Sequence, residues 1–161
     1  MARKPLEFHL NGAEKAVFVT EGQNLLDVLR RGVGDLTPKF GCGQGTCGTC
    51  TVLVDGEPCL SCLVLAETVA GSQVTTVAGL ATGNSLHPLQ SAFMEHFAAQ
   101  CGYCTPGMLM AAKALLDRNP GPSREEVVEA ISGNICRCTG YEPIIDAILA
   151  AARTGAARHY G

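Results

Sequence analysis

The sequence predicts an α+β chain of two small domains, a mixed sheet crossed by one helix and then a bundle of helices. Three observations carry this prediction. Apolar residues alternate around short turns before residue 78, they recur at helical spacing after residue 84, and Gly, Thr, Asn and Ser cluster between the two patterns. A chain of 161 residues with 47% hydrophobic and 17% charged residues is globular, with room for two modest cores.

Leu6 to Leu10 and Lys15 to Thr20 alternate about Asn11-Gly12, a pair that accepts the left-handed turn joining two antiparallel strands. Asn24 stands before Leu25, Leu26, Val28 and Leu29, which predicts a short capped helix ending at Gly32. Thr51 to Val54, Asp55-Gly56 and Cys59 to Leu65 read as strand, turn and strand, and Gln73 to Val77 as a further strand. The first domain is thus residues 1–78, followed by a linker at 79–84 and a second domain at 85–161.

Beyond the linker, Leu86, Leu89, Phe93 and Phe97 share one helical face after a cap at Asn84 or Ser85, and Met108, Leu109, Ala112, Leu115 and Leu116 share another. Ser123 and Glu126 form a capping box ahead of Val127, Val128 and Ile131. Ile144 to Ala152 gives a fourth helix. The tail from Arg153 to Gly161 has no clear period and reads as frayed or lying on a partner.

Composition removes several function classes. The net charge is −3 and the twelve Lys and Arg residues are scattered, which argues against a nucleic-acid partner. The N-terminus lacks the apolar stretch of a secretory signal, and no run reaches membrane-spanning length, so the expected setting is the cytoplasm, without membrane insertion. His9, His87, His96 and His159 lie outside both cysteine motifs, and no triad or paired-carboxylate site stands out. No catalytic residue or substrate site is expected on this chain.

Eight of the nine cysteines fall into two quartets: Cys42, Cys47, Cys50 and Cys62, then Cys101, Cys104, Cys136 and Cys138. An odd thiol count in a reducing compartment argues for metal ligation over disulfides. The first quartet reads C-x4-C-x2-C with a fourth cysteine after eleven intervening residues, and its first three positions have the spacing of plant-type [2Fe–2S] ferredoxins. Gly41, Gly43, Gly45 and Gly48 flank these thiols, which suits a loop that turns its N–H groups toward cluster sulfurs. The same glycines match G-x-G-x-x-G, but no βαβ unit surrounds them and the match is rejected. Cys47-x2-Cys50 with Cys59-x2-Cys62 offers a rival zinc knuckle, which leaves Cys42 without a role.

In the second quartet, Cys101-Gly-Tyr-Cys104 precedes a helix with Pro106 in its first turn, where free N–H groups and the helix dipole favour anionic sulfur. Cys136-Arg-Cys138 in extended backbone points both sulfurs to one side. This spacing by itself leaves a zinc site open.

The stretches Cys42-Gly-Gln-Gly-Thr-Cys47-Gly-Thr-Cys50, Gln100-Cys101-Gly-Tyr-Cys104-Thr-Pro-Gly and Gly133-Asn-Ile-Cys136-Arg-Cys138-Thr-Gly-Tyr141 closely resemble the small iron–sulfur subunit of the molybdenum hydroxylases, the xanthine dehydrogenase and carbon monoxide dehydrogenase family. The resemblance runs from about Leu6 to Ala151. It implies an N-terminal β-grasp ferredoxin-like domain, a C-terminal four-helix bundle and two [2Fe–2S] clusters, with Cys62 and not Cys59 as fourth ligand of the first. It further implies a molybdopterin-binding large subunit beside the second cluster, contacted through Gln100 and Cys138, and an FAD-binding medium subunit facing the first, assembled as a dimer of heterotrimers. Tyr103, Arg137 and Tyr141 would be packing or interface residues. The chain would carry electrons from molybdenum to the flavin or another acceptor. The rival readings are a free two-cluster ferredoxin shuttle and a zinc-stabilised interaction module; for Gln100 the plainer reading is a surface polar side chain.

Overall fold

In the computed structural model, which describes residues 3–155, the first hairpin is β1 (Arg3–Leu10) and β2 (Ala13–Thr20). Asn11 and Gly12 take φ of 52° and 81°, the left-handed pair a tight hairpin requires. Leu6, Phe8 and Leu10 alternate into the core. α1 (Leu25–Asp27) starts where Asn24 Oδ1 accepts from the Asp27 N–H at 2.8 Å.

This helix does not stop at Gly32. It widens into a π-helical turn at Val28–Val33, closed by Gly34 at φ 84°. Arg30 on that turn donates to the carbonyls of Pro38 at 2.7 Å and Leu36 at 3.1 Å, so the helix holds the start of the cysteine loop.

β3 (Thr51–Val54) pairs antiparallel with β4 (Glu57–Leu60) about Asp55-Gly56. The strand expected over Cys59 to Leu65 ends at Leu60, because the chain there bends toward the cysteine loop. Ser61 Oγ donates to the Cys50 carbonyl at 2.7 Å, and the Leu26 N–H donates to the Ser61 carbonyl at 3.0 Å. β5 (Gln73–Thr75) lies between β1, to which it is parallel, and β3, to which it is antiparallel, giving the order β2-β1-β5-β3-β4. It stops short of Val77 because Thr76 turns into a polar latch: Asn11 Oδ1 accepts from its N–H at 2.9 Å, and its hydroxyl donates to Asp35 Oδ2 at 2.7 Å.

Four helices follow: α2 (Pro88–Glu95), α3 (Thr105–Arg118), α4 (Arg124–Ile131) and α5 (Glu142–Arg153). The cap of α2 is neither Asn84 nor Ser85. His87 Nδ1 accepts from the Leu89 N–H at 3.1 Å, and Gln90 Oε1 accepts from the His87 N–H at 2.9 Å. Phe97 does not continue the helical face: α2 has ended, Phe97 takes φ 53°, and its ring is 81% exposed. The Ser123–Glu126 capping box forms as expected, with N–H to side-chain distances of 3.2 and 2.7 Å.

α3 is the most buried helix of this half; α2 and α4 pack on it, and α5 packs on α2 and α4. Its core is continuous with one side of the sheet through Leu53 of β3, while the neighbouring Val52 faces the sheet's own core. Among the described residues, no helix is long and apolar enough to cross a membrane. The tail expected from residue 153 lies, beyond α5 and the turn after it, outside the described residues.

Candidate functional site

The loop from Gly41 to Cys50 wraps around its own sulfurs. Cys42 Sγ accepts from the N–H groups of Gln44 at 3.4 Å and Thr46 at 3.3 Å. The Thr46 hydroxyl foremost, then the Gln44 N–H, draw the Cys42 thiol down to about 5, so it is a thiolate at neutral pH. Packing around the sulfurs leaves little room. A Cβ on Gly41 would lie 2.8 Å from Cys47 Sγ, a contact real side chains do not make. The turn after β4 brings Cys62 against Cys50, whose thiol is pushed up to about 11 by burial, with the facing Cys62 adding to the shift.

Cys59 stands apart from this set. It occupies β4 opposite Val52, half-buried, and its thiol is raised first by burial and then by the nearby Glu57 carboxylate.

The second set gathers where α3 begins. Cys104 caps that helix and faces Cys136, and burial first, then the Cys136 thiol, pushes Cys104 up to about 12. At Cys136 burial raises the thiol, but donors from Thr139, the N–H of Cys138 and the Cys104 thiol outweigh it and lower it overall. Thr139 Oγ1 lies 3.1 Å from Cys136 Sγ, and the Cys136 N–H donates to the Tyr141 hydroxyl at 3.0 Å. Cys138 faces Cys101, which raises its thiol, and both are exposed.

The C-x-C pair therefore divides between two partners, one buried and one at the surface. Both thiols line one cavity with Cys101 and Cys104, although residues 137–139 form a bend and not a strand. Gln100 is exposed and adjoins the Cys101–Cys138 edge.

The two sets adjoin. A cavity of about 200 Å³ touches Cys47 of the first set and Cys101, Cys104, Cys136 and Cys138 of the second. The Ile135 N–H donates to the Cys47 carbonyl at 2.9 Å, one residue before Cys136. Thr49 Oγ1 donates to the Tyr103 carbonyl at 2.9 Å, and the Tyr103 hydroxyl donates to the Phe40 carbonyl.

These residues fit iron–sulfur clusters. Each set supplies four thiols that meet as facing pairs, which suits two irons, whereas a structural zinc draws its four ligands onto one ion. The N–H donors on Cys42 Sγ offset thiolate charge, as a four-thiolate cluster requires. Sequence reasoning did not find Asn134, which is buried beside the loop with its amide on the Gly48 carbonyl at 2.8 Å. The sequence placed it in the Gly133-Asn-Ile-Cys136 stretch but gave it no role.

Comparison with known proteins agrees with this geometry. Residues 8–78 match the family model of the 2Fe-2S iron-sulfur cluster binding domain, and residues 76–149 match that of the [2Fe-2S] binding domain. The chain is 47% identical to the nicotine 6-hydroxylase small subunit of Paenarthrobacter nicotinovorans over 91% of its own length and 88% of that protein. It is 44% identical to the nicotinate dehydrogenase small FeS subunit of Eubacterium barkeri, over 92% and 94%. A chain in the crystal structure of quinoline 2-oxidoreductase from Pseudomonas putida 86 superposes with a TM-score of 0.93 at 47% identity, covering 96% of this chain and 97% of that one. Two cluster-binding domains in this order, over nearly the full length of such relatives, place the chain among the small iron–sulfur subunits of the molybdenum hydroxylase family.

Proposed function

We propose that this chain takes electrons from a molybdopterin centre on a large subunit through the Cys101/Cys104/Cys136/Cys138 site. It then passes them through the Cys42/Cys47/Cys50/Cys62 site to FAD on a medium subunit. The observation that carries this reading is the junction between the backbones that bear the two thiol sets, where the Ile135 N–H donates to the Cys47 carbonyl and one cavity is lined by Cys47 and by all four thiols of the second set. When bound, each [2Fe–2S] cluster supplies a one-electron carrier. The chain's own residues hold the sulfurs, direct N–H groups at Cys42, and keep the inner thiols Cys50 and Cys136 buried while Cys101 and Cys138 reach the surface.

Gln100 and Cys138, both exposed at that outer edge, are the proposed contacts to the pterin. The proposed ligand set takes Cys62 over Cys59, supported by the meeting of Cys62 with Cys50. The proposed domain division is 1–78, a linker at 79–84 and 85–161, the second domain being a four-helix bundle. Nine free thiols support a cytoplasmic setting.

Exposed apolar side chains flank both sites, Phe40 and Leu63 by the first set and Tyr103 and Ile135 by the second. Such surface suits permanent partners better than a freely diffusing ferredoxin, and supports assembly with large and medium subunits as a dimer of heterotrimers. The relatives named above act, by their names, on nicotine, nicotinate and quinoline, so a nitrogen heteroaromatic is the proposed substrate class of the complex, bound on another chain.

The test is metal analysis and electron paramagnetic resonance of the complex purified under mild conditions. The expected result is about four irons per chain, two for each four-thiolate set, with two distinguishable reduced signals and co-purifying molybdenum. Cys138→Ser should remove one signal and spare the other. Zinc without iron refutes the reading, and an iron-containing chain that stays monomeric in native extract favours the shuttle.

A further inference from the structure

We infer that Asn134 is a positioning residue that sets the separation and orientation of the two cluster sites, an inference that rests on the iron–sulfur reading above. Asn134 is 5% exposed and belongs to the helical half, yet its amide enters the cysteine loop of the other half. Nδ2 donates to the Gly48 carbonyl at 2.8 Å and reaches Thr51 Oγ1 at 3.4 Å. The same carbonyl accepts from the Thr51 hydroxyl at 2.6 Å and from the Thr51 N–H at 3.0 Å. Gly48 lies between Cys47 and Cys50, and Asn134 lies two residues before Cys136, so this one amide ties together backbone from both sites.

The fit around it is close on every side. A Cβ on Gly48 would fall 2.4 Å from the Gly133 carbonyl and 2.7 Å from the Asn134 amide. A Cβ on Gly107, in the first turn of α3 and three residues after Cys104, would fall 2.3 Å from the Gly48 carbonyl. Residues 48 and 49 are thus gripped between the start of α3, which carries Cys104, and residues 133–135, which lead into Cys136. Apolar packing would permit sliding along such a contact. A directed amide does not, because an unmet Nδ2 in this buried place carries the desolvation cost of a lost partner.

The transfer concerned is one electron, which leaves the Cys101/Cys104/Cys136/Cys138 site as that site is oxidised and reduces the Cys42/Cys47/Cys50/Cys62 site. Asn134 ligates neither; its effect is on distance and orientation.

The experiment compares Asn134→Asp with the unmutated chain in the purified complex. Asp has the same shape but sets an acceptor oxygen against the Gly48 carbonyl, which pushes the two halves apart at this point. The measurement is the magnetic splitting between the two reduced [2Fe–2S] signals at low temperature, with iron content as the check that both clusters are loaded. The expected result is full iron, both signals present and a reduced splitting, with slower exchange between the sites after flash reduction. Full iron with unchanged splitting overturns the inference. If Asn134→Asp does not accumulate folded, Asn134→Ser, too short to reach Gly48, carries the same expectation and the same refuting result. Absence of both iron signals from the unmutated chain overturns the iron–sulfur reading and this inference with it, and is seen before any variant is made.

Discussion

Gly48→Ala is the substitution for which the structure sets the size of the effect most directly. Two costs arise, and a second glycine separates them. The first is conformational: Gly48 sits at φ 68°, where a residue with a Cβ loses roughly 1 kcal/mol. Gly56, at φ 86° in the Asp55-Gly56 turn, meets nothing within 4 Å, so Gly56→Ala incurs this cost alone. The second is steric and belongs only to Gly48, whose Cβ would enter the Gly133 carbonyl and the Asn134 amide.

Backbone cannot rotate away as a side chain can, so an overpacking cost of about 1–3 kcal/mol applies. At roughly 2–4 °C per kcal/mol for a chain of this size, Gly48→Ala should lower Tm by about 2–12 °C more than Gly56→Ala does. The assay is thermal unfolding of the two variants side by side, followed by circular dichroism and by loss of visible absorption. Equal shifts would refute the argument that the two halves meet at Gly48 without spare room.

Three further outcomes are expected. Cys59→Ser should leave iron content and both resonance signals intact, since Cys59 lies in β4 away from the thiol pairs; loss of two irons on metal analysis would move Cys59 into the ligand set. Asn11→Ala should destabilise by about 1–3 kcal/mol, read as a lower denaturation midpoint, because it leaves the N–H of fully buried Thr76 without its acceptor. Asp55 accepts from the Gln73 N–H at 2.8 Å, which together with Ser72 holds its carboxyl below the usual range. A depressed folded pKa contributes stability that is complete above the unfolded value of about 3.9 and is lost as pH falls through the folded value. The Tm gap between the unmutated chain and Asp55→Asn should therefore be present at neutral pH and close in acid, and a gap that widens on acidification would contradict this sign.

Where local chemistry decides the backbone, the sequence was legible. Asn11-Gly12, Asp55-Gly56, the Asn24 cap and the Ser123–Glu126 box each form within a few residues, and each was readable from those residues. Failures came where distant contacts decide. Helical spacing runs on through Phe97, but α2 ends at Glu95, and spacing carries no information about where a helix loses its packing partner. His87 was missed as a cap because imidazole is not among the usual capping side chains.

The thiols themselves were legible from spacing, as was the start of α3 at Cys104. Their pairing was not. Cys136 faces Cys104 and Cys138 faces Cys101 across a bend at residues 137–139, and the role of Asn134 depends on a carbonyl 86 residues away in sequence.

Leu53 gives the protein a property that neither matched family domain has by itself. Its strand contributes one side to the sheet core and the other to the helical core, so the two halves share a wall. A gene cut at the linker would yield a ferredoxin-like fragment with an oily face open to water, prone to self-association, and a helical fragment with a hole where Leu53 had been. The two halves are inherited as one unit in the physical sense: neither can be exchanged for a foreign counterpart unless the replacement also reproduces that wall.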